Sequence, residues 1–109
     1  MVIKVRFFLH IWKMKTHLSE TFLENSAETL RAIAHPYRIA IIDLLHHNGQ
    51  MTVTDIYTKL QIEQAVASHH LRILKSRDVV TVQRDGKNSL YALAYPDYYD
   101  IVKMLTKVI

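Results

Sequence analysis

The stretch between Leu60 and Leu93 constrains the fold of this chain more than any other. Leu60-Gln-Ile-Glu-Gln-Ala-Val-Ala-Ser-His-His-Leu-Arg-Ile-Leu74 reads as a helix that buries one face and offers the other to a partner. Val79-Val-Thr-Val-Gln-Arg84 and Ser89-Leu-Tyr-Ala-Leu93 follow as two alternating runs around Asp85-Gly86-Lys87. That is the pattern of two short strands joined by a tight turn.

The rest of the chain reads as helices around this unit. Phe22, Leu23, Ala27, Leu30, Ile33 and Ala34 recur at helical spacing and predict helix 1 over about residues 17–34. His35-Pro36 ends it, because the residue before proline avoids helical geometry, and Pro36 can open helix 2. Ile39, Ile42 and Leu45, with Ala40, Ile41 and Leu44 beside them, give that helix a broad apolar face to about His47. Asn48-Gly49 stops it. Thr52-Val-Thr-Asp55 resembles a capping box with Asp in place of Glu and starts helix 3, about 52–60. Helix 4 spans about 63–76. Tyr95-Pro96 opens helix 5, where Tyr98, Ile101, Val102, Leu105, Val108 and Ile109 form a stripe. The expected fold is therefore mainly α with a small β-hairpin, in the order α-α-α-α-β-β-α. A groove-reading helix followed by a hairpin is the layout of a winged helix-turn-helix.

Composition narrows the class. A chain of 109 residues predicts one domain, placed at 17–109. Half the residues are hydrophobic and only Gly49 and Gly86 are glycines, which argues for a compact helical domain. The absence of cysteine excludes disulfides, zinc-thiolate sites and thiol redox sensing, and suits a cytoplasmic protein. The net charge of +4 is poor evidence for nucleic-acid binding. Four of the fourteen Lys and Arg residues, Lys4, Arg6, Lys13 and Lys15, precede the first acidic side chain, Glu20. The other ten balance the ten Asp and Glu, so local placement matters more. Residues 1–16 form an apolar, basic segment. Its first thirteen residues are too short and too charged for a membrane span, and His10 interrupts the apolar core that a signal peptide would need. Three readings stay open: an extension of helix 1, a peripheral membrane contact, or a segment upstream of a true start at Met14. The first and third fit best, so no membrane partner is expected.

On helix 4, Ala67, Leu71 and Leu74 share one face, with His70 beside them. The opposite face gathers Ala65, Ser68, His69, Arg72 and Ser76, with Gln64 at its edge. This set suits a major groove. Gln pairs bidentately with adenine, Arg with guanine, Ser takes either role, and Ala65 is small enough to meet a thymine methyl. His69 can donate to a phosphate or a base. The same positions would equally make an ordinary solvated face; the neighbouring elements favour the groove. Arg84, Lys87 and Asn88 lie at or beside the hairpin tip, placed for phosphate or the minor groove. Asp85-Gly86 also serves as plain turn chemistry. Thr52, Thr54 and Lys59 on helix 3 could add phosphate contacts, although Thr52 serves equally well as a helix cap. Helices 1 and 5 carry apolar stripes beyond what helices 2–4 need for a core. They predict a homodimer through Phe22, Leu23, Leu30, Tyr98, Ile101, Val102 and Leu105.

Leu30-Arg-Ala-Ile-Ala-His-Pro-Tyr-Arg-Ile-Ala-Ile-Ile-Asp-Leu-Leu45 is similar to the helix 1–helix 2 junction of the ArsR/SmtB family of bacterial repressors. Ala67-Ser68-His69-His70-Leu71-Arg72-Ile73-Leu74 resembles that family's recognition helix, and Asp85-Gly86-Lys87 its wing turn. The resemblance spans about residues 18–108. It implies a homodimer that binds operator DNA, usually as a repressor released by an inducer, with Ser68 and His69 facing the groove and His70 in the core. Glu63 departs from the pattern, standing where the family usually caps helix 4 with Ser or Thr. The family's thiolate site, a Cys-Val-Cys-type run, is replaced by Thr52-Val53-Thr54, so soft-metal sensing there is excluded. At the family's helix 5 site only Asp97 could be a ligand, since Tyr95 and Val108 fall near the other positions. His10, His17, His35, His46, His47, His69 and His70 read as scattered surface and interface histidines. No metal and no cofactor is expected, and no residue identifies an inducer. The expected function is sequence-specific transcriptional regulation, as a repressor, on double-stranded DNA with an inverted-repeat operator. The alternative is a protein-interaction module on a winged-helix scaffold without DNA binding. No phosphate loop or nucleophile motif is present, so an enzyme is not expected.

Overall fold

Among the described residues the first helix begins after Ser19, whose Oγ accepts from the Phe22 N–H at 3.1 Å and caps α1 (Glu20–Ile33). The computed structural model describes residues 15–109. The readings of His10, of Met14 as a start and of segment 1–14 lie outside the described residues. The cap explains why α1 begins three residues later than its apolar spacing predicts. His35 Nδ1 accepts from the Tyr37 N–H at 3.1 Å and caps α2 (Pro36–Asn48), with Pro36 in its first turn. Gly49 ends α2 at φ +78°, a conformation that other residues rarely adopt.

Thr52 does two jobs. It belongs to a short strand, β1 (Met51–Thr52), and its Oγ1 accepts from the Asp55 N–H at 3.1 Å to cap α3 (Val53–Leu60). Gln61, in the left-handed conformation at φ 57°, then turns the chain into α4 (Gln64–Ser76). Two strands follow, β2 (Val80–Asp85) and β3 (Asn88–Leu93), and α5 (Asp97–Val108) closes the chain.

The sheet corrects the expected two-stranded hairpin: it has three antiparallel strands in the order β1-β3-β2. Met51 pairs with Tyr91 and Thr52 with Leu90, while Val82 pairs with Tyr91 across the hairpin. A two-residue strand is too short to show alternation, so its partner alone defines it. The hairpin loop is also tighter than predicted. Asp85 and Asn88 are already paired, leaving Gly86 and Lys87 as the loop. Gly86 sits at φ +62° in the first loop position, where a side chain would be strained.

The core lies under α2. Ile41, Ile42 and Leu45 of α2 are fully or almost fully buried with Ile56 of α3 and Leu71 and Leu74 of α4. At roughly 1.5–3 kcal/mol for each such side chain, this cluster dominates the stability of the unit that carries α4. Both α1 and α5 pack against α2. On the α5 side, the rings of His46 and Tyr99 stack in parallel at 3.5 Å. Among the described residues, no helix is long and apolar enough to cross a membrane.

Candidate nucleic-acid interface

Helix α4 is held by one side and free on the other. Ala67, Leu71 and Leu74 are buried, as their spacing predicts. Gln64, Ala65, His69 and Arg72 are exposed, and Ser68 is half-buried at the edge. The Ser76 hydroxyl donates to the Ile73 carbonyl at 2.6 Å, so it is engaged within its own helix. The three-residue turn Gln61–Glu63 sets α4 against α3, the spacing of a helix-turn-helix.

The start of α4 is electrostatically mixed. Glu63 is the N-cap residue, but its side chain makes no capping hydrogen bond. Its carboxylate favours the positive end of the helix dipole, and it is an exposed negative charge beside Gln64 and Ala65. At the other end of α4, the Arg77 Nη2 donates to the Asn25 carbonyl of α1 at 3.2 Å.

The wing and α3 supply the remaining predicted contacts. Arg84, Lys87 and Asn88 are all exposed, with Arg84 paired to Ser89 in the ladder and Lys87 in the loop. On α3, Thr54 and Lys59 are exposed at opposite ends of the helix. Thr52 is half-buried and its hydroxyl already accepts the cap hydrogen bond, so the cap reading describes it best.

His70 lies in the core, 6% exposed. Its Nδ1 is 3.1 Å from Arg38 Nη1, and its ring lies 4.3 Å from that of His35. Burial, then repulsion from His35, Arg38 and His69, pushes its pKa below the ordinary histidine value. Sequence reasoning placed His70 correctly but gave Arg38 no role. The one signal was a charged side chain in an otherwise apolar run of α2.

The predicted dimer residues divide. In the protomer Phe22 and Leu30 are each 52% exposed and Leu105 is 42% exposed, while Leu23, Tyr98 and Ile101 are half-buried. Val102 is a correction: at 7% exposure it belongs to the protomer core. It helps to line an apolar groove of about 310 Å³ with Ile39, Leu105, Thr106 and Ile109. Among the described residues, no three potential metal-ligating side chains come together.

The chain is similar to known proteins. The family described as a helix-turn-helix domain matches residues 33–83. An uncharacterized HTH-type transcriptional regulator of Methanocaldococcus jannaschii, MJ1325, is 33% identical over 85 residues, covering 78% of this chain and 96% of that protein. The repressor SmtB of Mycobacterium tuberculosis is 43% identical over 72 residues, covering 66% of this chain and 53% of that longer protein. The transcriptional repressor PagR of Bacillus anthracis is 31% identical over 86 residues, covering 79% of this chain and 86% of PagR. The chain belongs to the ArsR/SmtB family. Like its relatives, this ArsR/SmtB protein is a winged helix-turn-helix, DNA-binding transcriptional regulator. The PagR crystal structure superposes with a TM-score of 0.73 over 80% of this chain and 99% of that one. The homodimeric winged helix-turn-helix DNA-binding domain of Mb0332 from Mycobacterium bovis superposes with a TM-score of 0.74 at 27% identity, over 87% of each chain.

Proposed function

We propose that this regulator is a cytoplasmic homodimeric repressor. Each protomer inserts α4 into the major groove of an inverted-repeat operator, with half-sites about one helical turn apart. The observation that carries the reading is the exposed face of α4, where Gln64, Ala65, His69 and Arg72 stand opposite buried Ala67, Leu71 and Leu74. Gln and Arg read adenine and guanine edges, and Ser68 and His69 complete the set. Arg84, Lys87 and Asn88 serve the phosphates from the wing, and Thr54 and Lys59 serve them from α3. Repression is supported by the relatives SmtB and PagR, both named as repressors. The homodimer is supported by the Mb0332 domain and by the exposed apolar side chains of α1 and α5.

Footprinting the promoter upstream of its own gene supplies the operator. Anisotropy titrations of that duplex and a random duplex, at two salt concentrations, then test the reading. Operator affinity about a thousandfold or more above random is expected. Equal affinity for both duplexes at both salts would overturn sequence-specific reading by α4.

A further inference from the structure

The Arg38 guanidinium joins three elements. Its Nη1 donates to His70 Nδ1 on α4 at 3.1 Å. Its Nη2 donates to the Arg31 carbonyl in the last turn of α1 at 3.4 Å. A guanidinium only donates, so Nδ1 accepts and the ring proton of His70 sits on Nε2. The His35 ring lies 4.3 Å from the same ring, tilted by 36°, and Tyr37 meets it edge-on at 5.4 Å.

The apolar anchors Ala67, Leu71 and Leu74 decide which face of α4 is buried, but apolar burial itself has no direction. A hydrogen bond does have direction. His70 directly follows Ser68 and His69, so any roll of α4 that breaks the Arg38 contact also turns those two side chains in the groove. We propose that Arg38 is a positioning residue for DNA binding: by bridging His70 Nδ1 and the Arg31 carbonyl, it sets the roll of α4 relative to α1. This rests on the reading of α4 as the groove-entering helix.

The contact needs a neutral His70, since a protonated imidazole has no acceptor. The groups that face it are His35, Tyr37 and Arg38 from the start of α2 and His69 from α4 itself. All but tyrosine are cationic when charged. The folded-state pKa is lowered, so the contact is complete above the ordinary histidine value. It is lost as pH falls through the lower, folded-state value.

Anisotropy with the footprinted operator and a random duplex, from about pH 5.5 to about pH 8, tests the proposal. Arg38→Met and His70→Leu are each expected to lower operator affinity about tenfold at the alkaline end. Random-duplex affinity and the dimer should stay unchanged, and the double variant should lose no more than either single one. His70→Asn, whose Oδ1 takes the place of Nδ1, should restore the affinity that His70→Leu loses. It should also bind better than wild type at the acid end. His69 is present in both proteins and cancels from that comparison. If His70→Leu does not fold, Arg38→Met and His70→Asn carry the test.

Wild-type operator affinity in Arg38→Met, or single losses that simply add, would overturn the proposal. So would a fall in random-duplex affinity with a smaller salt slope, which would make Arg38 a phosphate contact. Failure of the groove reading appears in a different variant. Full operator affinity in Arg72→Ala would sink that reading and this proposal with it.

Discussion

Arg72 and His69 carry the sharpest consequences at the scale of single residues. Both are exposed on α4 and belong to no buried cluster. Their truncation should therefore leave the fold intact. Arg72→Ala and His69→Ala are each expected to weaken operator binding by about 1–3 kcal/mol, with little change on random DNA. Anisotropy beside a thermal melt checks both halves of that expectation. Lys87 is different, because in the proposed reading the wing loop meets phosphate and not sequence. Lys87→Ala should lower affinity for every duplex and reduce the salt slope by about 1. The α4 face was legible because helical spacing separates buried from exposed positions on a single element. Arg38 was not. Its partner His70 lies 32 residues away, and no local period links a side chain on α2 to a ring on α4.

At the scale of elements, caps explain most of the boundaries and one apparent anomaly. Ser19, His35 and Thr52 each accept a backbone N–H with a side-chain atom, whereas Glu63 does not. Glu63→Ser should add the missing cap and raise stability by about 0.5–1 kcal/mol, a shift of several degrees in Tm. It should also remove a negative charge beside the proposed groove-facing residues and tighten binding to all duplexes. A variant that melts higher but binds DNA no better would separate the capping effect from the electrostatic one. Removing a cap that is present works the other way: Thr52→Ala should cost about 1 kcal/mol in a denaturant melt. The helices were legible because each has a period and punctuation of its own. Strand β1 was not, since Met51 and Thr52 become a strand only through Tyr91 and Leu90. The α5 stripe shows the same limit. Spacing identifies Val102 and Leu105 as apolar, but only the packed protomer shows that Val102 serves its own core.

At the scale of the whole molecule, the question is what covers the terminal helices. In the protomer Phe22 and Leu30 on α1, and Leu105 and Val108 on α5, remain at least 42% exposed. Leaving such side chains in water forgoes the stabilisation that their burial against a second copy would bring, roughly 25 cal/mol for each Å². A dimer that covers them also sets the separation of two α4 helices, which an inverted repeat requires. Leu30→Glu combined with Leu105→Glu places charge on both helices without touching the buried cluster under α2. This variant should sediment as a folded monomer. Each α4 would still reach a half-site, but the second contact would no longer be intramolecular. Operator affinity should therefore fall by about a hundredfold or more, while the helical circular dichroism is kept. An intact dimer in the double variant would place the interface elsewhere. A monomer with undiminished operator affinity would show that one α4 and one wing suffice.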